Sequence, residues 1–116
     1  MRTSIADAEV ILACAAAGVQ VVSAEDLGFA KKLLVAADVN AVPPEGVAGV
    51  DVMDDAKPIQ GTNAVGIGAL AIGNVKYQTQ HRLLVQMRET PKSVLGFAEA
   101  FAAARGFIAE SATKAG

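Results

Sequence analysis

The sequence predicts an α/β fold, a short parallel sheet with flanking helices, in one domain over residues 1–116. Three observations carry this reading. Two continuous apolar runs, VILACA at 10–15 and LVAADV at 34–39, suit strands buried on both faces of a parallel sheet. A third apolar segment, AVGIGALA at 64–71, is strand-like but weakened by glycine. Helical patterns lie between and after these runs, the alternation that makes parallel strands with crossover helices.

Composition sets the outer bounds. A chain of 116 residues suffices for one domain, and 53% hydrophobic content can bury a core. Aromatics are 4% and Trp is absent, so that core is built from Ala, Val, Leu and Ile. The net charge of −2 gives no reason to expect nucleic acid or an anionic membrane as partner. The longest apolar run, 10–19, is too short and too glycine-interrupted to span a bilayer. The first residues, MRT, lead into a helical-looking segment with Asp7 and Glu9, unlike a signal peptide. A single cysteine, Cys14, excludes an internal disulfide and fits a reducing cytoplasm.

Taken in order, residues 3–8 read as a helix tail or loop. Strand 10–15 places Cys14 as a small core residue. Ala16, Ala17 and Gly18 then turn the chain with little side-chain bulk. Ser23 opens a helix to about residue 33, and Asp26 stands where a capping-box acid belongs. Leu27, Ala30 and Leu34 point inward. Strand 34–39 ends abruptly at NAVPP, since Pro does not extend a sheet interior. Residues 45–63 form a long glycine- and aspartate-rich loop without sustained periodicity, a length that usually has a function. Within it, the pair Asp54 and Asp55 reads as a solvated loop rather than a metal site. Asn74 opens a helix to about Glu89 as N-cap, and Pro91 stops it. An Ala-rich helix follows at 97–108 with Phe101 and Ile108 as packing residues, and the tail 109–116 frays.

Ligands of such sheets bind beyond the carboxyl ends of the strands. Three segments meet there: Ala15, Ala16, Ala17 and Gly18 after the first strand, 40–44 after the second, and 66–76 around the third. Asn40 is either a turn-forming Asn or a hydrogen-bonding group for a ligand. Gly66, Gly68 and Gly73 permit close helix–strand packing or the approach of a ligand. Lys76 is the anomaly. On a helix opened by Asn74 it lies in the first turn, against the dipole, and within the stripe of Ile72, Thr79, Leu83 and Met87, beside Gln80. Either its stem packs while the ammonium reaches water, or it is a functional cation. His81 lies about 140° from Lys76 on the helical wheel and reads as a surface or subunit-contact residue.

The strings VAADVNAVPPEGVAGVD (35–51) and AVGIGALAIGNVKYQTQHR (64–82) resemble the carboxy-terminal part of the NAD(P)-dependent methylene-tetrahydromethanopterin dehydrogenases of methylotrophic bacteria. The resemblance runs from about residue 8 to 105, with DVNAVPP, the MDD…KPI…G loop (53–61) and GIGALAIGNVK as its most specific parts. It implies a partial Rossmann-type three-layer coenzyme domain plus closing carboxy-terminal helices, in a cytoplasmic oxidoreductase of one-carbon metabolism. The reaction implied is hydride transfer from a tetrahydromethanopterin-type pterin to NADP or NAD, with no metal and no flavin. By the same resemblance, Ala15, Ala16, Ala17 and Gly18, with Val39, Asn40 and Ala41, lie near the nicotinamide half of the coenzyme. Gly66 and Gly68 flank them, and Lys76 faces the pterin as the catalytic candidate. A protonated lysine beside the methylene carbon would oppose the cation formed as hydride leaves, so a neutral lysine, or one bound to a distant carbonyl, suits the chemistry better.

The chain departs from that family in one respect. It has no GxGxxG phosphate loop, no segment to read the adenosine ribose and no amino-terminal substrate domain. It is expected to be the last part of such an enzyme, homo-oligomeric through an exposed sheet edge. Two other readings stand beside this one: a non-catalytic folded remnant that oligomerises or serves a partner, and a lobe of another pterin-, folate- or shikimate-type dehydrogenase.

Overall fold

The apolar runs do become parallel strands. The computed structural model describes residues 2–115, in the order α1 (Arg2–Ala6), β1 (Val10–Ala13), α2 (Ala24–Phe29), β2 (Val35–Asp38), β3 (Asp55–Pro58), β4 (Val65–Ile67), α3 (Ala69–Glu89) and α4 (Phe97–Ala115). The sheet order is β1-β2-β4-β3. β1, β2 and β4 are parallel, in the register Val10↔Val35↔Val65 and Ile11↔Ala36↔Gly66. This is the α/β arrangement read from the sequence. β3 was not foreseen. It pairs antiparallel with β4, its four residues are all exposed, and a bulge at Ala56, which has φ +56°, breaks its register. An edge strand of this kind carries no burial pattern to read.

The chain divides into two compact units, residues 1–72 and 73–116. In the first, strand register separates two faces. Ile11, Ala13, Ala36, Asp38 and Gly66 share the packed face, on the side of a core that includes Val22, Leu27, Leu33, Val47, Val50 and Ile59. The other face holds Val10, Leu12, Val35, Ala37, Val65 and Ile67. Within it Val10 is 57% and Leu12 70% exposed. The strands are thus written for two covered faces; on the second, Val35, Ala37, Val65 and Ile67 are half-buried while Val10 and Leu12 stay exposed. β1 also ends at Ala13, two residues earlier than predicted, which leaves Cys14 exposed rather than in the core.

Helix α2 begins as its residues require. Ser23 is the N-cap and accepts from the Asp26 amide at 3.1 Å, while the Asp26 carboxylate accepts from the Ser23 amide at 3.1 Å. Leu27 and Ala30 are buried as expected. Leu34 is 59% exposed, and Leu33 takes its place in the core, because α2 stops at Phe29 and the chain straightens before β2.

The largest correction concerns α3. It starts at Ala69, five residues before Asn74, so Asn74 lies inside the helix and caps nothing. The reason lies in the loop 50–54, which replaces a side-chain cap. The Gly68 amide donates to the Asp54 carbonyl at 2.8 Å, and the Leu70 amide donates to the Val52 carbonyl at 2.8 Å. Two of the helix's early donors are therefore satisfied by backbone. Gly66 in β4 and Gly68 just after it are required by this packing. A Cβ on Gly66 would come within 2.9 Å of the Val50 side chain, and one on Gly68 would overlap the Asp51 carbonyl.

The second unit holds most of α3 and all of α4. No described residue of either helix is buried, and Phe101 and Ile108, the predicted packing residues, are 55% and 53% exposed. α4 continues through 109–115, where fraying was expected. Specific contacts tie the helices. The Arg82 guanidinium donates twice to the Glu110 carboxylate, at 3.1 and 2.6 Å, and lies over the Phe107 ring at 5.5 Å. At the start of α4 the Glu99 carboxylate accepts from the Gly96 amide at 2.9 Å.

Two expected outcomes follow from this packing. Gly68→Ala should cost about 3 kcal/mol or more, because backbone must move to admit the methyl group. Gly73→Ala, whose Cβ meets nothing within 4 Å inside α3, should instead raise stability by about 0.5–1 kcal/mol in urea titrations. The second outcome concerns acid. Hydrogen bonding from Arg82 holds the Glu110 carboxyl below its ordinary range, and the Gly96 amide does the same for Glu99. A carboxyl depressed in the folded state contributes stability above its unfolded pKa and loses it as pH falls through the folded value. Helical circular dichroism of the chain should therefore melt at lower temperature once pH drops below about 4, and Glu110→Gln should flatten that acid limb.

Candidate functional site

β1, β2 and β4 run parallel, so their carboxyl ends share one edge of the sheet. The loops leaving β1 and β2 are held there by two neighbouring side chains. Asp38 is the last residue of β2, 1% exposed, on the packed face. Its carboxylate accepts three backbone amides: Asn40 at 2.9 Å, Gly46 at 2.6 Å and Val47 at 3.2 Å. Gly46 must be glycine, since a Cβ there would come within 2.6 Å of the same carboxylate. Residues 46–48 then pair with 21–22, the Gly46 carbonyl accepting from Val21 at 2.9 Å and Val22 at 3.0 Å. Asp38 thus ties the end of β2 to the segment that leads into α2.

Asn40, 6% exposed, joins the two loops to each other. Its Oδ1 accepts from the Gly18 amide at 3.2 Å and from the Val42 amide at 2.9 Å, and its Nδ2 donates to the Pro44 carbonyl at 2.8 Å. Both lone pairs of the amide oxygen and one of its two hydrogens are engaged. Gly18 has φ +75°, the conformation that lets the turn present its amide to Asn40. The turn-forming reading of Asn40 is therefore what the contacts display. Around this clamp, Ala15, Ala16, Ala17, Val39 and Ala41 are exposed. The edge is a shelf of four alanines and Val39, its loops tied together by the hydrogen bonds of Asn40.

Gly66 and Gly68 lie in β4 and at its carboxyl end, but both are buried. Their open side is taken by Val50, Asp51 and Val52. The close approach they permit is to the chain's own backbone. With the Gly68 and Leu70 amides already bonded, the start of α3 is not an open anion cradle. The start of α2 is closed likewise by Ser23 and Asp26. The acids of the 51–54 turn are engaged in and beside that turn. Asp54, 9% exposed, accepts from the Asp51 amide at 2.9 Å and lies 3.7 Å from the Lys57 ammonium, while Asp55 is exposed. Among the described residues no cluster of three or more His, Cys, Asp or Glu could hold a metal.

Lys76 belongs to the second unit. With α3 beginning at Ala69 it is the eighth helical residue, in the third turn, and it is exposed, as is Gln80. Its predicted first-turn, inward position is overturned, because the helix starts earlier and buries none of its residues. His81 is also exposed, stacked on Tyr77 with ring centroids 6.5 Å apart. Among the described residues, no helix is long and apolar enough to cross a membrane.

Sequence reasoning missed Asp38, and one signal could have found it. Asp is depleted in strands, so an Asp closing the apolar run VAAD calls for a buried donor set. Asp38→Ala should strand three buried amides and cost about 3–5 kcal/mol. Asp38→Asn, which keeps one acceptor, should cost roughly 2 kcal/mol. Urea unfolding of the two variants checks both values.

No protein-family model matches the chain. Against curated proteins, it is 54% identical over 101 residues to an NAD(P)-dependent methylenetetrahydromethanopterin dehydrogenase of Methylorubrum extorquens (strain AM1). The match covers 86% of this chain and 34% of that protein, so the chain spans about a third of the length of the curated relative. Along that third, this chain is a sequence relative of NAD(P)-dependent methylenetetrahydromethanopterin dehydrogenase.

Proposed function

We propose that this chain is the carboxy-terminal, coenzyme-facing part of an oxidoreductase of one-carbon metabolism that transfers hydride from a tetrahydromethanopterin-type pterin to NAD or NADP. The observation that carries the reading is the 54% identity to a protein of that name, sustained over 86% of the chain. On this reading both units belong to one segment, a partial Rossmann-type domain with its closing helices, working in the cytoplasm of a methylotroph.

The residues present fit part of such a coenzyme. Ala15, Ala16, Ala17 and Gly18, with Val39, Asn40 and Ala41, offer mostly small side chains at the strand ends, which suits the approach of a planar ring. When bound, a nicotinamide supplies the hydride acceptor. The chain's own part is to orient that ring and shield it. Gly66 and Gly68 let the 50–54 loop close the floor beside the shelf. No phosphate cradle is expected from α2 or α3, whose first turns are already bonded. Hydride loss from a methylene carbon releases no proton, so no general base is required. Lys76 then serves to hold a polar group of the pterin, at a distance from the developing cation.

Calorimetric titration with NADP and NAD, followed by an assay of hydride transfer from the methylene pterin, tests the reading. Absence of binding at millimolar coenzyme would refute it for this chain. Cys14 supplies an independent measure, being the single cysteine, exposed and directly before Ala15. Coenzyme should slow its reaction with a thiol reagent by several-fold. In the complete enzyme, Lys76→Met should lose turnover with stability unchanged, and an unchanged kcat would assign Lys76 to the solvated surface.

A second reading has its own observation. Val94 is 88% and Phe97 85% exposed, and the open sheet face carries Val10 and Leu12. Such surface suits a homo-oligomer or a partner-binding module without catalysis. Sedimentation combined with the coenzyme titration separates the two: association without coenzyme binding favours the module.

A further inference from the structure

We infer that Asn40 is a positioning residue for coenzyme affinity, acting through the Gly18 turn and the 42–44 segment rather than by touching the coenzyme. This rests on the coenzyme reading given above. The shelf is made by two loops in which most exposed side chains are small: Ala15, Ala16 and Ala17 leave β1, and Val39 and Ala41 follow β2. Loops of this composition have few contacts to hold a shape. Two bonds cross between them: the Val39 amide donates to the Ala13 carbonyl at 3.1 Å beside the strand ends, and farther out the Gly18 amide donates to Asn40 Oδ1 at 3.2 Å, joining residues 22 apart in sequence.

The same oxygen accepts from Val42, and the same amide group donates to Pro44, so a single side chain sets both margins of the shelf at once. Asn40 is itself seated by the Asp38 carboxylate, which accepts its backbone amide at 2.9 Å. Burial to 6% and three engaged hydrogen-bonding valences leave the side chain committed to the loops. Its removal frees the Gly18 turn without deleting any surface a ligand would touch. If the loops then adopt the binding geometry only about a tenth of the time, affinity falls about tenfold.

The test uses two variants of the chain, NADP and NAD titrations well below each variant's unfolding midpoint, and amide hydrogen exchange at Gly18. Asn40→Ala removes every contact. Asn40→Asp keeps an oxygen acceptor for Gly18 and Val42 and loses the donor to Pro44. The expected result is that Asn40→Ala weakens coenzyme binding about tenfold and accelerates Gly18 exchange, while Asn40→Asp stays within about threefold of the parent in both. Parent-like binding by Asn40→Ala overturns the inference and leaves Asn40 a turn residue. An equal loss in both variants, with slow Gly18 exchange kept in Asn40→Asp, also overturns it, since the amide would then contact the coenzyme. If Asn40→Ala does not fold, Asn40→Asp decides alone: parent-like binding supports the inference, and a tenfold loss with slow Gly18 exchange sinks it. A parent chain that binds neither coenzyme refutes the coenzyme reading itself, and this inference with it.

Discussion

A carboxylate that has left water must find donors, and in this chain the search organises the first unit. Asp38 ends β2 on the packed face, where it is 1% exposed. An unpaired charge there would cost several kcal/mol. Three backbone amides compensate it, all from residues 40–47. To deliver them, the chain turns back immediately after the strand and runs beneath it, which brings Gly46 alongside Val21 and Val22. That pairing sets the approach to Ser23 and hence the start of α2.

The same logic explains which glycines matter. Gly46 is small because the Asp38 carboxylate occupies the place of a Cβ, and Gly68 because the Asp51 carbonyl does. Gly73 has free space around it and no positive φ, so its presence follows from neither constraint. In the sequence Gly66, Gly68 and Gly73 look alike by spacing alone. Their surroundings separate two packing residues from one that the structure of this chain does not explain.

What was legible in the sequence follows from where the physics is local. The strands at 10 and 35 announced themselves by continuous apolar runs, and the α2 cap by Ser23 and Asp26 three residues apart. What failed was decided at long range. α3 begins at Ala69 because the carbonyls of Val52 and Asp54, brought up by β3, receive its early amides, and no cap residue announces that. β3 itself is short, exposed and interrupted at Ala56, so neither period nor propensity marks it. The shelf residues were placed by the rule that parallel strands bind ligands at their carboxyl ends. Asn40 was noticed, but its partners, 22 and 4 residues away, are visible only in three dimensions.

The two faces of the sheet bear on what this chain can do alone. Register puts Val10, Leu12, Val35, Ala37, Val65 and Ile67 on one face, a composition that belongs to a sheet covered on both sides. Leu12 at 70% exposure on that face gains little from folding, and each such residue withholds roughly 1.5–3 kcal/mol of burial. Among the described residues of α3 and α4 likewise none is buried, and the Arg82–Glu110 fork that joins them contributes little in water. Stability in the chain is therefore concentrated in the packed face, around Asp38, Val47 and Val50, the largest of the fully buried side chains. That face also supports the loops of the candidate shelf. A shelf anchored to the best-buried part of the molecule can hold its geometry even where apolar residues of the other sheet face stay exposed, and under the proposed function this favours coenzyme affinity over turnover as the property the chain keeps.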